Sequence, residues 1–399
     1  MVTCVPDRRG LGGAALGHFP WRALLGAALL GAPACGSDGA PDGTPEAGAQ
    51  APNDASGDAD TAPARDAGDA SVSEAGSAPD AGADADAGDA ASGEYPAQLS
   101  QAGLYSDIAS ETLAPGVVAY RPRYELWSDG AEKRRWLFLP EGATIDSSDP
   151  DFWHFPVGTK AFKEFVRDGV RVETRLVHKA GPGDADWVMV AYQWNAAQTD
   201  AFPVPDGVTD ASGTEHDIPS QMDCVFCHEK LSGRLLGVGA IQLGHDDGDL
   251  TLRSLVESGR LSHPPDDVAP ALPGDASAQA ALGYLHANCG TCHNPTSSAF
   301  LRTDLDTWLR VGALSSVQAT ALYQTAVGVE NDTLFSTSPL RIAPGSTTDS
   351  EIYRRMTLRT QRGMPPLGTE LLDDAGLAAV SAFILGLDGA SSGASGSGP

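Results

Sequence analysis

Two short stretches of the chain carry residues whose types and spacing could do chemistry. "DCVFCHEK", residues 223–230, places Cys224, Cys227 and His228 together, and "NCGTCHNP", from Asn288, repeats the arrangement as Cys289, Cys292 and His293. On a helical turn, positions i, i+3 and i+4 share a face. Each stretch therefore projects two thiols and an imidazole to one side. That spacing reads as covalent attachment of c-type haem: the thiols take the two vinyl groups and the histidine reaches the iron. A four-cysteine zinc site suits these residues less well. Its pairs would be ~15–20 residues apart, and it would leave both histidines unexplained. A thioredoxin-type pair needs a βαβ setting, which the surrounding sequence lacks.

The cysteine census agrees with that reading. Of six cysteines, only Cys4 and Cys35 lie outside the two motifs. Residues 1–35 read as an export signal, with Arg8, Arg9 and Arg22 supplying positive charge. The apolar run at 23–32 is too short to span a bilayer. "APAC" at its end suits ordinary signal cleavage, and it also resembles a bacterial lipoprotein start with Cys35 as the lipidated N-terminus. The expected location is the periplasm or cell surface of a bacterium, as an outer-membrane lipoprotein. Residues 36–94 are Ala, Gly, Asp, Ser and Pro with one basic residue, Arg65. They cannot bury enough apolar surface to offset their ordering entropy, so a disordered acidic tether is expected. The whole chain has 26 basic against 53 acidic residues. This excess argues against nucleic acid as a partner, since phosphate neutralisation needs Lys and Arg.

The elements that must position the motifs fall into two groups. Residues 95–265 are β-rich. "KRRWLFLP" at 133–140 and the runs on either side of Asp168-Gly169 are rich in β-branched and aromatic residues, and the Asp-Gly pair predicts a hairpin. In the run after it, Val170, Val172, Thr174 and Leu176 share one face and Arg171, Glu173 and Arg175 the other. "DWVMVAYQWN" at 186–195 predicts a further strand. The period changes at 275–388, where three helices are expected. One starts near Asp275 or Ser277 and runs into the second motif, one lies over 348–358, and a closing helix over 372–387 is capped by Asp373 or Asp374. "HPPDDVAPALPGD" at 263–275 marks the boundary, and 389–399 reads as a flexible tail. The expected fold class is α+β and multidomain: a β-rich haem module, then an all-α module, preceded by the tether.

The helical part resembles a small class I cytochrome c over residues 275–388. A helix enters the second motif, a loop region follows, and "RGMPPLGT" at 362–369 stands where that family has its methionine loop. The resemblance implies His293 and Met364 as axial ligands, with a thioether that raises the potential. Pro365 and Pro366 would stiffen the loop. Met356 lies in a helical stretch and is expected to pack inward. Leu301, Leu305, Trp308 and Leu309 are expected to wall the crevice.

"LWSDGAEKRRWLFLPEG", "FWHFPVGTKAFKEF", "YQWNAAQTDA" and "HDIPSQMDCVFCHEK" together resemble a family of bacterial two-haem c-type cytochromes of largely unknown role. The likeness runs from about Tyr105 to the closing helix. It implies two covalently attached haem c groups and electron transfer with a redox partner protein or a small-molecule donor or acceptor. The β-rich part is also similar, more loosely, to small β-sheet c-type cytochromes whose haem is cross-linked to a lysine. That likeness makes Lys160 or Lys163 a candidate haem neighbour, although both also suit a solvated strand face. Arg134 or Arg135 could meet haem propionates, or line such a face. No methionine loop follows the first motif. His245, His263, His216, His178 and His154 are candidates for a sixth ligand, with Met189 and Met222 behind them. An open position would instead allow a haem redox enzyme, peroxidase-like or oxidising a nitrogen compound, with the second haem as relay.

Overall fold

The computed structural model describes residues 95–331 and 336–387. The leader, the Cys35 anchor and the tether expected over 1–94, and the tail from 389, lie outside the described residues. Among those described, the chain is mixed α and β. The strands come first: β1 (Tyr105–Asp107), β2 (Thr112–Leu113), β3 (Val117–Ala119), β4 (Glu132–Phe138), β5 (Lys160–Arg167), β6 (Val170–Lys179), β7 (Trp187–Trp194) and β8 (Ala201–Pro203). The α-helices follow: α1 (Gln221–His228), α2 (Ala240–Leu243), α3 (Leu252–Glu257), α4 (Ala276–Asn288), α5 (Phe300–Thr303), α6 (Ala321–Ala326), α7 (Glu351–Thr357) and α8 (Asp374–Gly386). β1 and β2 pair alone, and β3 to β8 form one antiparallel sheet in sequence order. No helix among the described residues is long and apolar enough to cross a membrane.

The predicted hairpin is β5–β6. Asp168 and Gly169 take φ of +52° and +79°, the left-handed pair that Asp-Gly adopts at low cost. Cross-strand neighbours Trp136, Phe162, Leu176 and Val190 share one sheet face and bury against Leu99 and Leu104. The opposite face begins with Leu137, Ala161, Val177 and Met189, which meet Trp153, Leu243 of α2 and Leu252 of α3. One pleat further on, the same face carries Arg135, Lys163 and Arg175. This charged row, which alternation alone would assign to solvent, turns inward.

The helical part starts where the sequence predicts. Asp275 caps α4, its carboxylate accepting the Ala278 N–H at 2.9 Å, and Asp373 caps α8 through the Gly376 N–H at 2.9 Å. Leu282 and Leu285 pack with Val380 and Ile384. Residues 120–129 tie the sheet to this core. The Trp127 N–H donates to Asn288 Oδ1 at 2.7 Å, Asn288 Nδ2 donates to the Glu125 carbonyl at 3.1 Å, and Arg123 Nη1 donates to the Pro270 carbonyl at 2.8 Å. All the described residues therefore belong to one compact unit.

Gly283 makes this docking possible, because a Cβ there would stand 2.1 Å from the Tyr124 ring. Gly283→Ala is expected to cost about 1–3 kcal/mol by overpacking. Urea unfolding would show it as a lower midpoint at unchanged slope; an unchanged midpoint would contradict the packing described.

Candidate functional site

The first motif lies on α1, as its spacing requires. Ser220 and Asp223 form a capping box at the helix start: Ser220 Oγ accepts the Asp223 N–H at 3.2 Å, and Asp223 Oδ2 accepts the Ser220 N–H at 3.1 Å. Gln221 Nε2 donates to the Met189 carbonyl at 2.9 Å and seats the helix on β7. Cys224 is buried and Cys227 half-buried, and neither is in a disulfide. Burial pushes both thiols up. Cys227 reaches about 12, raised further by Cys292 beside it. His228 Nδ1 lies 2.6 Å from the Arg234 carbonyl. A carbonyl only accepts, so Nδ1 carries the proton and Nε2 keeps its lone pair. Burial pushes His228 down to about 4, so the imidazole is neutral across the physiological range. Iron-ligating histidines are held in this way, by a second hydrogen bond that fixes the tautomer.

Cys224, Cys227 and His228 line a cavity of about 820 Å³, within the ~300–1,000 Å³ range of sites that enclose small molecules and cofactors. The charged row of the sheet forms one wall. The helical part supplies another, through His286, Trp308 and the loop 358–370. Two free thiols, a neutral imidazole with an available Nε2 and a cavity of this size fit the attachment chemistry of a haem at this motif.

The candidate sixth ligands separate by position. Of the five histidines, only His216 lines the cavity, and its Nε2 lies 2.8 Å from Glu173 Oε1. His245 is held by the Arg121 carbonyl and the Asp247 N–H. His263 bonds to Ser262, and His154 pairs with Asp184 at 3.6 Å. His178 pairs in register with Lys160, on the sheet face turned away from the cavity. Met189 is in the apolar core, and Met222 is 83% exposed. The same parity separates the two lysines. Lys160 Nζ donates to the Ala102 carbonyl at 2.8 Å on the far face, whereas Lys163 lines the cavity. Arg135 lines it too, while Arg134 points to Glu164 and Glu111 on the other side.

His286 is a cavity residue that the motif analysis passes over. It is buried, its Nδ1 accepts the Leu309 N–H at 3.1 Å, and its ring lies 4.2 Å from the Trp308 ring. Burial pushes it down to about 3. Nδ1 accepts this hydrogen bond, so in the neutral ring Nε2 carries the proton. The available signal was its position on the helix entering the second motif, three residues before Cys289.

The second motif begins at the C-terminus of α4. The N–H groups of Cys292 and His293 both donate to the Cys289 carbonyl, at 3.1 and 2.8 Å, which keeps a single helical turn. Cys289 and Cys292 are half-buried free thiols. Burial pushes Cys289 up to about 12 and His293 down to about 4. The turn is joined to the first motif: Asn294 Nδ2 donates to the Lys230 carbonyl at 3.2 Å, and the Ser232 N–H donates to Thr296 Oγ1 at 3.2 Å. Met364 borders a space of about 10 Å³ next to Tyr284 and Met356. The two thiols and the imidazole of the second turn are a donor set that suits a haem. Residues 365–370 wall the first cavity, and Pro365 and Thr369 also border the small space beside Met364. Met356 is buried in the helical core, as expected, with Leu305 and Leu309. Leu301 is 82% exposed and walls nothing. Trp308 serves the first cavity and stacks on Phe152 at 5.7 Å.

Glu351 of α7 holds the methionine loop in place. Its carboxylate accepts from Arg354 and Arg355, Arg355 Nη1 donates to the Arg362 carbonyl, and the Arg355 carbonyl accepts the Met364 N–H at 3.1 Å. Burial alone would raise the Glu351 carboxyl, but the hydrogen bonds from Arg354, Arg355 and the Ser338 N–H outweigh it and hold it at about 2. A depressed carboxylate stabilises the fold above its unfolded value near 4.5, and this contribution is lost as pH falls toward 2. Melting curves at pH 7 and pH 3 should show Glu351→Gln losing less stability on acidification than the unchanged chain. Equal losses would remove Glu351 from the account.

Among the described residues, no group of three or more His, Cys, Asp or Glu side chains is arranged to hold a bare metal ion. No protein-family model matches the chain, and comparison with curated proteins and with solved structures finds no match.

Proposed function

We propose that the chain is an exported two-haem c-type cytochrome that carries electrons. One haem would be held by Cys224, Cys227 and His228, the other by Cys289, Cys292 and His293, with Met364 as the second axial ligand of the latter. The observation that carries this reading is the first motif itself: two free thiols and a neutral imidazole, its Nδ1–H given to the Arg234 carbonyl, all lining one cavity. Bound haem would supply reversible one-electron chemistry at its iron. The protein's part is to hold the two attachment turns side by side, which the bonds between 230–232 and 294–296 do. The Asn294 side chain, fully buried, also donates to the Gly290 and Thr291 carbonyls. The same side chain therefore closes its own turn and ties it to the first motif. The partner is a redox protein or a small donor or acceptor, met outside the cytoplasm. Cys35 would supply the lipid anchor.

Rapid mixing with a reductant tests the reading. Two distinct haem signals should equilibrate at a rate independent of protein concentration; two signals that never equilibrate within the chain would contradict it.

A second reading, a haem redox enzyme at the first site, is favoured by one observation. His216 is the one expected histidine lining that cavity, and Glu173 already engages it. A sixth position left open would bind carbon monoxide when reduced and cyanide when oxidised. Failure of both at either haem would leave electron transfer alone.

A further inference from the structure

The inward-turned charges of the sheet are unusual. Arg135 pairs in register with Lys163, and Lys163 with Arg175, so three cationic side chains stand directly across from one another on adjacent strands of one face. Like charges opposite one another destabilise a sheet. Lys133, two residues before Arg135, adds a fourth cation; burial first, and then Arg135, Arg175 and Lys133, push Lys163 well down. Two carboxylates answer them. Glu173 is fully buried and committed to Arg175 and His216, and half-exposed Glu125 reaches Arg135 at 3.4 Å. Lys163 itself has no hydrogen bond or ion pair among the described residues. Its nearest defined contact is the Phe165 ring, 4.7 Å from Nζ. The other acidic side chains around the cavity do not reach in to neutralise the row. Asp206, Asp217 and Glu370 are exposed, Asp223 is used as the cap of α1, and Asp129 accepts the Leu371 N–H.

We infer that the row Arg135–Lys163–Arg175 is a receptor for a carboxylate or small oxyanion, seated in the cavity beside the first motif. Glu125 and Glu173 answer Arg135 and Arg175, but half-buried Lys163 between them lacks a counter-charge, and one further anion in the cavity would supply it. Arginine and lysine supply complementary donors: bidentate forks at the ends and a point charge between them. Adjacent strands are about 4.8 Å apart, so the row extends about 10 Å across the sheet. Arg135, Lys163 and Arg175 line the same cavity as Cys224, Cys227 and His228. The anion has two possible sources, the carboxylates of an attached haem or a diffusible oxyanion such as nitrite or sulfite. The inference rests on the first motif's haem only for the first of these.

The test uses mature protein whose haem content has been measured. Nitrite and sulfite are titrated calorimetrically, and the midpoint potential of the first haem is recorded, for the unchanged chain, Lys163→Met and Lys163→Arg. If the anion diffuses in, the unchanged chain binds saturably, Lys163→Met weakens binding at least tenfold and Lys163→Arg restores it. If the haem brings the anion, no titrant binds, and Lys163→Met lowers the first haem's potential while Lys163→Arg does not. Titrant binding and potential both unaffected by Lys163→Met would overturn the inference. A chain without haem would fail the proposed function instead, and the titration of that chain would still decide whether the row takes an oxyanion.

Discussion

Replacing Cys224 and Cys227 together by Ser is expected to halve the covalent haem, from two groups per chain to one. The second motif should keep its group, because its thiols sit on a different element, the turn after α4. The effect is all-or-none at the first site, since neither thiol has another covalent role: both are free. Serine keeps the size and leaves α1 its capping box, so loss of haem would not be a consequence of losing the helix. His228→Ala should behave differently. The thioether bonds would remain, and the change would appear in the spectrum and potential of the first haem only. Denaturing gels stained for haem, with pyridine haemochrome for stoichiometry, read the first outcome directly. Full haem content in the double Ser variant would show that this motif is not an attachment site.

The largest effect on stability is expected from Glu173→Ala, about 3–5 kcal/mol. Glu173 accepts from Arg175 at 2.9 and 2.5 Å, and its Oε1 lies 2.8 Å from His216 Nε2, with no solvent exposure. Burial alone would raise its carboxyl; Arg175 and the hydrogen bonds outweigh that and keep it lowered and charged. Removing it leaves half-buried Arg175 without its counter-charge, next to Lys163 and one strand further from Arg135. Breaking one side of a buried pair exposes the full desolvation cost of the other. Lys163→Met should have the opposite sign in protein whose row holds no anion, because it removes a half-buried cation that has no counter-charge. Urea titration of both variants checks the pair of signs. A loss below about 1 kcal/mol for Glu173→Ala would mean that the row is solvated and not buried against the cavity.

Local features were legible in the sequence, and long-range pairings were not. The Asp168-Gly169 turn, the Asp275 and Asp373 caps and the helical placement of Cys224, Cys227 and His228 each depend on a few adjacent residues, and each lies where expected. The charged row depends on register between strands that are 28 and 12 residues apart at Arg135, Lys163 and Arg175, so alternation identified the face without revealing that the face is covered. What covers it comes from far along the chain. Most of the loop 358–370 walls the first cavity, and the Trp127–Asn288 and Asp129–Leu371 bonds hold it near that wall. A resemblance to a free-standing class I cytochrome gave no hint of this, because in a two-part chain the same loop has a neighbour to serve. His286 was hidden for a related reason: its role depends on Trp308 and Leu309, which reach it from beyond the second motif.

The central claim is that two haems are covalently attached, one at each C-x-x-C-H turn. Intact mass measurement of the mature protein from a host with cytochrome c maturation tests it most directly, with proteolytic mapping of the two motifs. The account predicts a chain heavier by two haem masses, one on the peptide holding Cys224 and Cys227 and one on the peptide holding Cys289 and Cys292. A chain of unmodified mass, with all four thiols open to alkylation, would contradict it.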